Sequence, residues 1–388
     1  MTTTLPTVRA PARHEQLVTE QDLPREIVAK AQEYLADFRK ARAAKTIRAF
    51  ENGVRLFRAW CDRDGQPWFP AAPATVAAFV ASIGSQPFTR VVIKRRTPTT
   101  ITTGPVAAAT MKQYLWAVGL LHRSADLPDP TKSGKVAFAV DAFERAVGVE
   151  QRQAPALTRE VSDRLVEAIE ERLADAAADG APPSPYDLRD RALILTWRDT
   201  LARVSEVTRL RWDDVAPHPL KPTGSVTIRR SKTDQKGQGH QRHLTERTMA
   251  ALAAWRDAHT ALLAAASPAQ RARIAAVAED AKALSADCAV FVGVHRGGLT
   301  PLSTTAAVRV LNDRATWAGV LHVFSGHSVR VGTTQDLLAA GYDALAVAQA
   351  GGWRDTKMVL RYGARLLTER SAVAQYERDR MRRENDHG

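Results

Sequence analysis

Apolar residues recur at every third or fourth position through most of this chain, and that helical period constrains its fold more than any other feature. Ile27, Ala31, Leu35 and Phe38 form one stripe, with Pro24 suited to the first helical position. Ile47, Phe50, Val54, Phe57 and Cys61 form the next, which Gly65 can end. PATVAAFVASIG predicts a third helix and ATMKQYLWAVGLLHRS a fourth, on which Met111, Leu115, Val118 and His122 share a face. The period breaks at VEQRQAPAL, where Pro155 and its polar neighbours read as a linker. The expected organisation is a flexible Thr/Pro-rich arm over 1–20, a helical domain over 21–150, a linker over 151–157 and a second domain over 158–388.

That second domain opens with helices over 158–177 and 186–200 and then changes period. TGSVTIRRSKTDQKGQGHQRHLT holds short β-branched runs around the turn-forming DQKGQG, which predicts a small antiparallel sheet of two or three strands. RVVIKRRTPTTITTG, earlier in the chain, reads as a basic loop or short hairpin around Lys94, Arg95 and Arg96. Ala-rich helices are expected over 247–286, more helices from 303 onward, and a final exposed or partner-docking helix in TERSAVAQYERDRMRREN. No internal repeat is evident. The fold class is therefore mainly α.

Charge narrows the partners. Lys and Arg number 55 against 42 Asp and Glu, a formal charge of +13, which favours a polyanion because each phosphate contact releases condensed counterions. Lys45 and Arg48 project from the second helix away from its apolar stripe, as Lys112 and Gln113 do from the fourth, so these faces are candidate DNA surfaces; a solvated charged face is the plainer reading. Cys61 and Cys288 make no CxxC pair, and His240 and His243 lack a third ligand, so no metal site is expected. There is no nucleotide-binding loop and no run of 18 apolar residues, so neither a nucleotide cofactor nor a membrane span is expected, and the cytoplasm fits the composition.

Three stretches concentrate groups able to act together on a phosphodiester: TLARVSEVTRLRWDDV, RRSKTDQKG and SGHSVRVGTTQDLLAAGYDALAVAQAGGWRDTKMVLRYG. Together and in this order they resemble the tyrosine site-specific recombinases of the phage integrase family, and the resemblance reaches back through RAWCDRDGQPWFPAAPATV and LLHRSADLPDP to cover most of residues 25–365. It implies an N-terminal helical core-binding (SAM-like) domain followed by a mostly helical catalytic domain with a small antiparallel sheet. It further implies an enzyme that cleaves and rejoins DNA through a 3′-phosphotyrosyl bond and a Holliday junction, without metal or ATP. The partners would be duplex DNA carrying an inverted-repeat site and a homotetramer assembled on two sites, with the terminal helix docking in trans. Such a protein would be bacterial or encoded by a phage or plasmid, and associated with the nucleoid.

The resemblance places Arg203 and Arg330 as the pair that binds the non-bridging oxygens, a task that planar, permanently charged guanidiniums perform without a metal. His327 precedes Arg330 by one helical turn, and Glu206 follows Arg203 by three residues, close enough to orient a guanidinium or His327. Trp353 stands where the family uses His or Trp, and its indole N–H can donate to a phosphate oxygen. Tyr362, nine residues beyond Trp353, is the implied nucleophile, with Tyr342 and Tyr376 as weaker rivals. Lys232 aligns with the family's hairpin lysine as general acid, and Lys236 is its rival. Arg229 and Arg230 in the same basic run are expected to contact DNA. Thr305 stands where similar members place a base-reading arginine, so a relative's target preference does not transfer.

A different class competes with this reading. TTQDLLAAGYDALAVAQAGGW scans as helix, glycine turn and helix, and a basic helix-turn-helix regulator would bind DNA without cutting it. Such a regulator has no use for Tyr362, Lys232 and two aligned arginines. The same chemistry could also serve phage integration or the resolution of chromosome dimers.

Overall fold

A computed structural model describes residues 24–85, 88–94, 97–103, 106–150, 153–229, 239–278, 284–295, 298–369, 371, 373–377 and 380–381. The arm over 1–20, Arg95 and Arg96, residues 151–152, Arg230, Lys232, Lys236 and residues 370, 372, 378–379 and 382–388 of the C-terminal tail lie outside these residues. The chain divides into two compact units, Met1–Gln151 and Arg152–Gly388.

The first unit runs α1 (Arg25–Ala41), α2 (Ala44–Arg63), α3 (Pro73–Ser85), a hairpin of β1 (Phe88–Lys94) and β2 (Thr97–Thr103), α4 (Ala108–Ser124) and α5 (Gly134–Val147). Pro24 caps α1 rather than entering it: its ψ of 136° is extended, and its carbonyl accepts from the amides of Ile27 and Val28. The stripe of α1 is centred on Val28, Ala31, Leu35 and Phe38, and Ile27 is only partly buried. The α2 stripe packs on α4, where Gly53 lets the helices close: a Cβ there would stand 2.6 Å from that of Ala117. Phe50, Phe57, Trp60 and Phe79 form the aromatic centre of this core. Cys61 is sealed within it, and burial, reinforced by Asp62 and Asp64, pushes its thiol up to about 12, which makes it inert.

The second unit begins with α6 (Arg159–Ala178), α7 (Pro185–Thr200) and the short α8 (Val204–Val207). The expected sheet forms with three antiparallel strands in the order β3 (Val215–Pro217), β4 (Gly224–Ile228) and β5 (His240–Leu244). Then come α9 (Glu246–Ala264) and α10 (Pro268–Ala278); Ser267 and Pro268 interrupt the Ala-rich segment, and 284–285 are not helical, so the expected helical run to 286 stops early. A hairpin of β6 (Val292–His295) and β7 (Gly298–Pro301) follows, which the sequence does not announce. The unit closes with α11 (Thr304–Trp317), α12 (Ser328–Ala339), α13 (Ala344–Gly351) and α14 (Lys357–Glu369). Its main core centres on Trp197, Trp255 and Phe291, and a smaller cluster of Leu338, Val347, Ala348 and Val359 joins α12, α13 and α14. No helix among the described residues is long and apolar enough to cross a membrane.

Candidate active site

The site is built on the corner after α7. Leu201 caps that helix in the left-handed region at φ 48°, a conformation a branched side chain rarely adopts. Two bonds fix the turn: the Trp197 indole donates to the Ala202 carbonyl at 2.8 Å, and the Thr200 hydroxyl donates to the Thr196 carbonyl at 2.7 Å. Arg203 then begins α8. Glu206 reaches back to it twice, its Oε2 accepting from the Arg203 amide at 2.8 Å and its Oε1 from the guanidinium at 2.7 Å. Glu206 is itself buried, so this is more than the plain surface ion pair that spacing alone allows.

Arg330 arrives on α12 and is only 1% exposed. A guanidinium at that depth needs partners. It donates to the carbonyl of Leu201, which the left-handed turn aims at it, and to the carbonyl of Gly351 at 3.3 Å. Its Cζ lies 4.0 Å from the centroid of the Trp353 ring, a cation–π contact. Burial lowers its pKa to about 10, with the Arg203 charge adding to the effect and Glu206 and Tyr362 opposing it. It therefore stays charged at neutral pH.

Trp353 reaches this position through the end of α13. Gly352 closes the helix in the left-handed region at φ 63°, and the Trp353 amide donates to the Ala348 carbonyl at 2.9 Å. The ring then meets Tyr362 edge-on, with centroids 6.1 Å apart and planes at 73°. Tyr362 is 9% exposed on α14, and its carbonyl accepts from the side chains of Gln153 at 3.2 Å and Gln335 at 3.0 Å, which pins that helix. Tyr342 and Tyr376 are exposed, Tyr342 in the turn after α12.

The structure thus gathers Arg203, Glu206, Arg330, Trp353 and Tyr362. His327 is exposed at the N-cap of α12, one turn from Arg330 but at a different depth, and Ser328 behind it accepts the Ser325 amide at 2.9 Å. Arg242 on β5 joins the cluster although sequence reasoning passed over it for its histidine neighbours; strand alternation sets it on the side of buried Leu244, and that was the available signal. Arg229 is ion-paired with Asp214, a bond that raises its pKa. Thr305 is exposed in the first turn of α11. In the first unit Lys45, Arg48, Lys112 and Gln113 are exposed, and Lys112 pairs with Glu144 at 2.6 Å. The helix, glycine turn and helix of α12 and α13 does form, but α12 buries Ser328 through Thr334, so its surface is used for packing and for carrying Arg330. Among the described residues no group of three or more His, Cys, Asp and Glu side chains is placed to hold a metal ion.

Residues 156–368, more than half of the chain, match the Phage integrase family. The chain belongs to that family, the tyrosine recombinases. The recombinase is 24% identical over 366 residues to Recombinase cre of Escherichia phage P1, a match covering 88% of this chain and 90% of that protein. It is also 24% identical over 337 residues to the integrase/recombinase xerD homolog of Selenomonas ruminantium, covering 83% and 82% of the two. Its fold is similar to that of XerH site-specific recombinase bound to palindromic difH substrate, with a TM-score of 0.54 at 15% identity over 92% of this chain and 91% of that one. The Tn1549 transposon integrase in complex with transposon right end DNA gives 0.51 at 14% identity over 88% and 99%. The expected fold, helical core-binding and catalytic domains with small antiparallel sheets, is the one found, and the recombinase is a DNA-acting enzyme rather than a regulator that only binds.

Proposed function

We propose that the recombinase cleaves one DNA strand by attack of the Tyr362 hydroxyl on the scissile phosphate, forming a 3′-phosphotyrosyl bond and releasing a 5′-hydroxyl that attacks a partner duplex. The observation that carries this reading is the contact chain from Arg330 through the Trp353 ring to Tyr362, with Arg203 and Glu206 beside it. In this scheme Arg203 and Arg330 bind the non-bridging oxygens, where charge builds in the transition state. Glu206 orients Arg203. His327 and Trp353 donate further hydrogen bonds to the phosphate. Lys232 protonates the departing 5′ oxygen, because an alkoxide is a poor leaving group. Two such rounds through a Holliday junction, in a homotetramer on two inverted-repeat sites, complete the exchange. The unit before residue 151 would clamp the duplex through Lys45, Arg48, Lys112 and Gln113, with Arg229, Arg230 and the first turn of α11 at Thr305 contributing from the second. The terminal helix would dock on a neighbour. No nucleotide enters the scheme, since the phosphotyrosyl bond conserves the energy of the strand, and no metal, since the two arginines, His327 and Trp353 fill the roles a divalent ion would take.

A nicked duplex carrying a site selected from random or host DNA tests this on denaturing gels. The wild type should form a covalent complex in EDTA without ATP, and Tyr362→Phe should bind the site but form none. Strict dependence of cleavage on Mg²⁺, or an adduct surviving in the variant, would refute it. With a bridging 5′ sulfur, whose thiolate leaves with little protonation, Lys232→Ala should recover most of its rate; recovery by Lys236→Ala instead would move the acid along the hairpin.

A further inference from the structure

The proposed chemistry uses two arginines, and the structure sets a third beside them. Arg242 packs its guanidinium against Gly352, the residue that hands the chain to Trp353: a Cβ at 352 would collide with Arg242 Nη2. From Arg242 the cluster runs through Gly352 and Trp353 to Arg330, whose pKa is lowered by the charges of both Arg203 and Arg242. Burial lowers the Arg242 pKa, with Glu206 opposing and Arg203 adding to the shift, so its charge is felt by both members of the arginine–glutamate pair.

Two observations say that this positive charge is not spent on architecture. Glu206 is the carboxylate among these groups, and both of its oxygens are already engaged by Arg203. Among the described residues, the one hydrogen bond from the Arg242 guanidinium goes to the carbonyl of its own neighbour Gln241, at 3.3 Å. Five N–H donors on a half-buried side chain are rarely left so poorly matched. The group is also reachable, because it borders an open cleft between β5 and α13 lined by His240, His243, Gln349 and Ala350, with Asp199 as its one acidic residue.

We infer that Arg242 is a third phosphate-binding guanidinium of the cleavage site, contacting a non-bridging oxygen of the scissile phosphodiester. The inference rests on the Tyr362 reading above. Three guanidiniums against Glu206, and against Asp199 across the cleft, whose Oδ2 is already taken by Thr245 and Thr248, still leave a positive surplus suited to the dianionic character that a phosphodiester acquires as the tyrosine oxygen adds to it. Arg242 is then a catalytic residue in its own right, beyond its packing on Gly352.

A methylphosphonate at the scissile position removes one non-bridging oxygen and its charge, so a guanidinium whose task is to neutralise that charge becomes dispensable. Covalent complex formation would be timed for the wild type, Arg242→Gln and Arg203→Ala on the nicked duplex with a normal scissile phosphate and with both methylphosphonate stereoisomers. Arg242→Gln should be at least about 10-fold slower than the wild type on the phosphate, a smaller loss than for a principal donor, and its deficit should nearly vanish on at least one methylphosphonate isomer. Its thermal midpoint should match the wild type. An equal deficit on all substrates would place Arg242 on another phosphate or in folding and overturn the inference, as would no deficit at all. Failure of the wild type to form an adduct on the normal duplex would instead sink the Tyr362 reading itself.

Discussion

Among the described residues the N-terminal unit buries Thr75, His122 and Ser124 as its polar side chains and no charged one, whereas the C-terminal unit buries Asp187, Arg189, Asp190, Glu206, Asp214, Arg314 and Arg330. In the first unit, charges such as Lys45 and Arg48 stay in water, where a polyanion can reach them. In the second, the buried arginines are of two kinds. Arg314 Nη2 lies 2.6 Å from carboxylate oxygens of both Asp187 and Asp190, and Arg189 Nη2 lies 2.6 Å from Asp190. Arg330 has no ion pair among the described residues; two carbonyl oxygens and an indole ring hold it. A guanidinium neutralised by carboxylates ties helices together, while one held by dipoles keeps its net charge for an incoming anion. Burial alone does not separate the two, but the partner does.

That contrast predicts opposite phenotypes for two equally buried arginines. Arg330→Ala should slow cleavage by at least about 10² to 10³-fold, the loss typical of one preorganised donor, and weaken DNA binding far less. Arg314→Ala leaves Asp187 to Arg172 and Asp190 to Arg189 and removes the guanidinium that joins them; it should cost up to about 3–5 kcal/mol of stability, seen as a lower thermal midpoint, with cleavage by the folded fraction little changed. If Arg314→Ala stayed stable but failed to cleave, the division between paired and unpaired arginines would fail.

Surface charge in the first unit should affect binding alone. Replacing Lys45 and Arg48 with Ala should flatten the salt dependence of DNA binding by roughly 0.9 in log–log slope for each phosphate the protein no longer neutralises, with the cleavage rate at saturating protein unchanged. An unaltered slope and affinity would make this face a solvated one.

The smallest effect concerns the first unit's buried histidine. His122 accepts the Ala71 amide on Nε2 at 2.9 Å and donates from Nδ1 to the Val118 carbonyl at 2.8 Å, which requires the neutral ring. Burial lowers its pKa, although the Val118 bond and Asp129 oppose the shift. Below about 6.5, the ordinary histidine value, the unfolded chain binds more protons than the folded one, so this stabilising contribution is complete above that pH and declines as pH falls. Urea unfolding at pH 7.5 and 5.5 should show such a loss, reduced in His122→Gln. His259 in the second unit is also shifted down by burial and should retain its own share of the acid sensitivity. An identical pH dependence in His122→Gln would remove His122 from the account.

Much of this was legible in the sequence because it is local. The stripes of α2 and α4 and the three-stranded sheet are set by spacing that a reader can measure, whereas Arg203, Arg330 and Tyr362 are singled out by the resemblance of their boxes to the family. Depth and adjacency are not local. Nothing in H-x-x-R tells that Arg330 is sealed while His327 is exposed, because that follows from how α12 packs on α14 and from the turn at Leu201. Arg242 was hidden for the same reason: its role depends on Gly352, far along the chain, leaving room for its guanidinium. The β6–β7 hairpin carries too few alternating residues to signal itself. The Ala-rich segment carries no stop signal in its spacing, so it does not announce the non-helical residues 284–285.

The most direct test of the central claim is to identify the amino acid that carries the DNA. Covalent complex trapped on a nicked duplex, digested with protease and nuclease and analysed by mass spectrometry, should show the nucleotide mass on the peptide containing Tyr362 and on no other. A nucleotide on the peptide of Tyr342 or Tyr376, or on a serine, would contradict the assignment of this buried cluster as the site of strand cleavage.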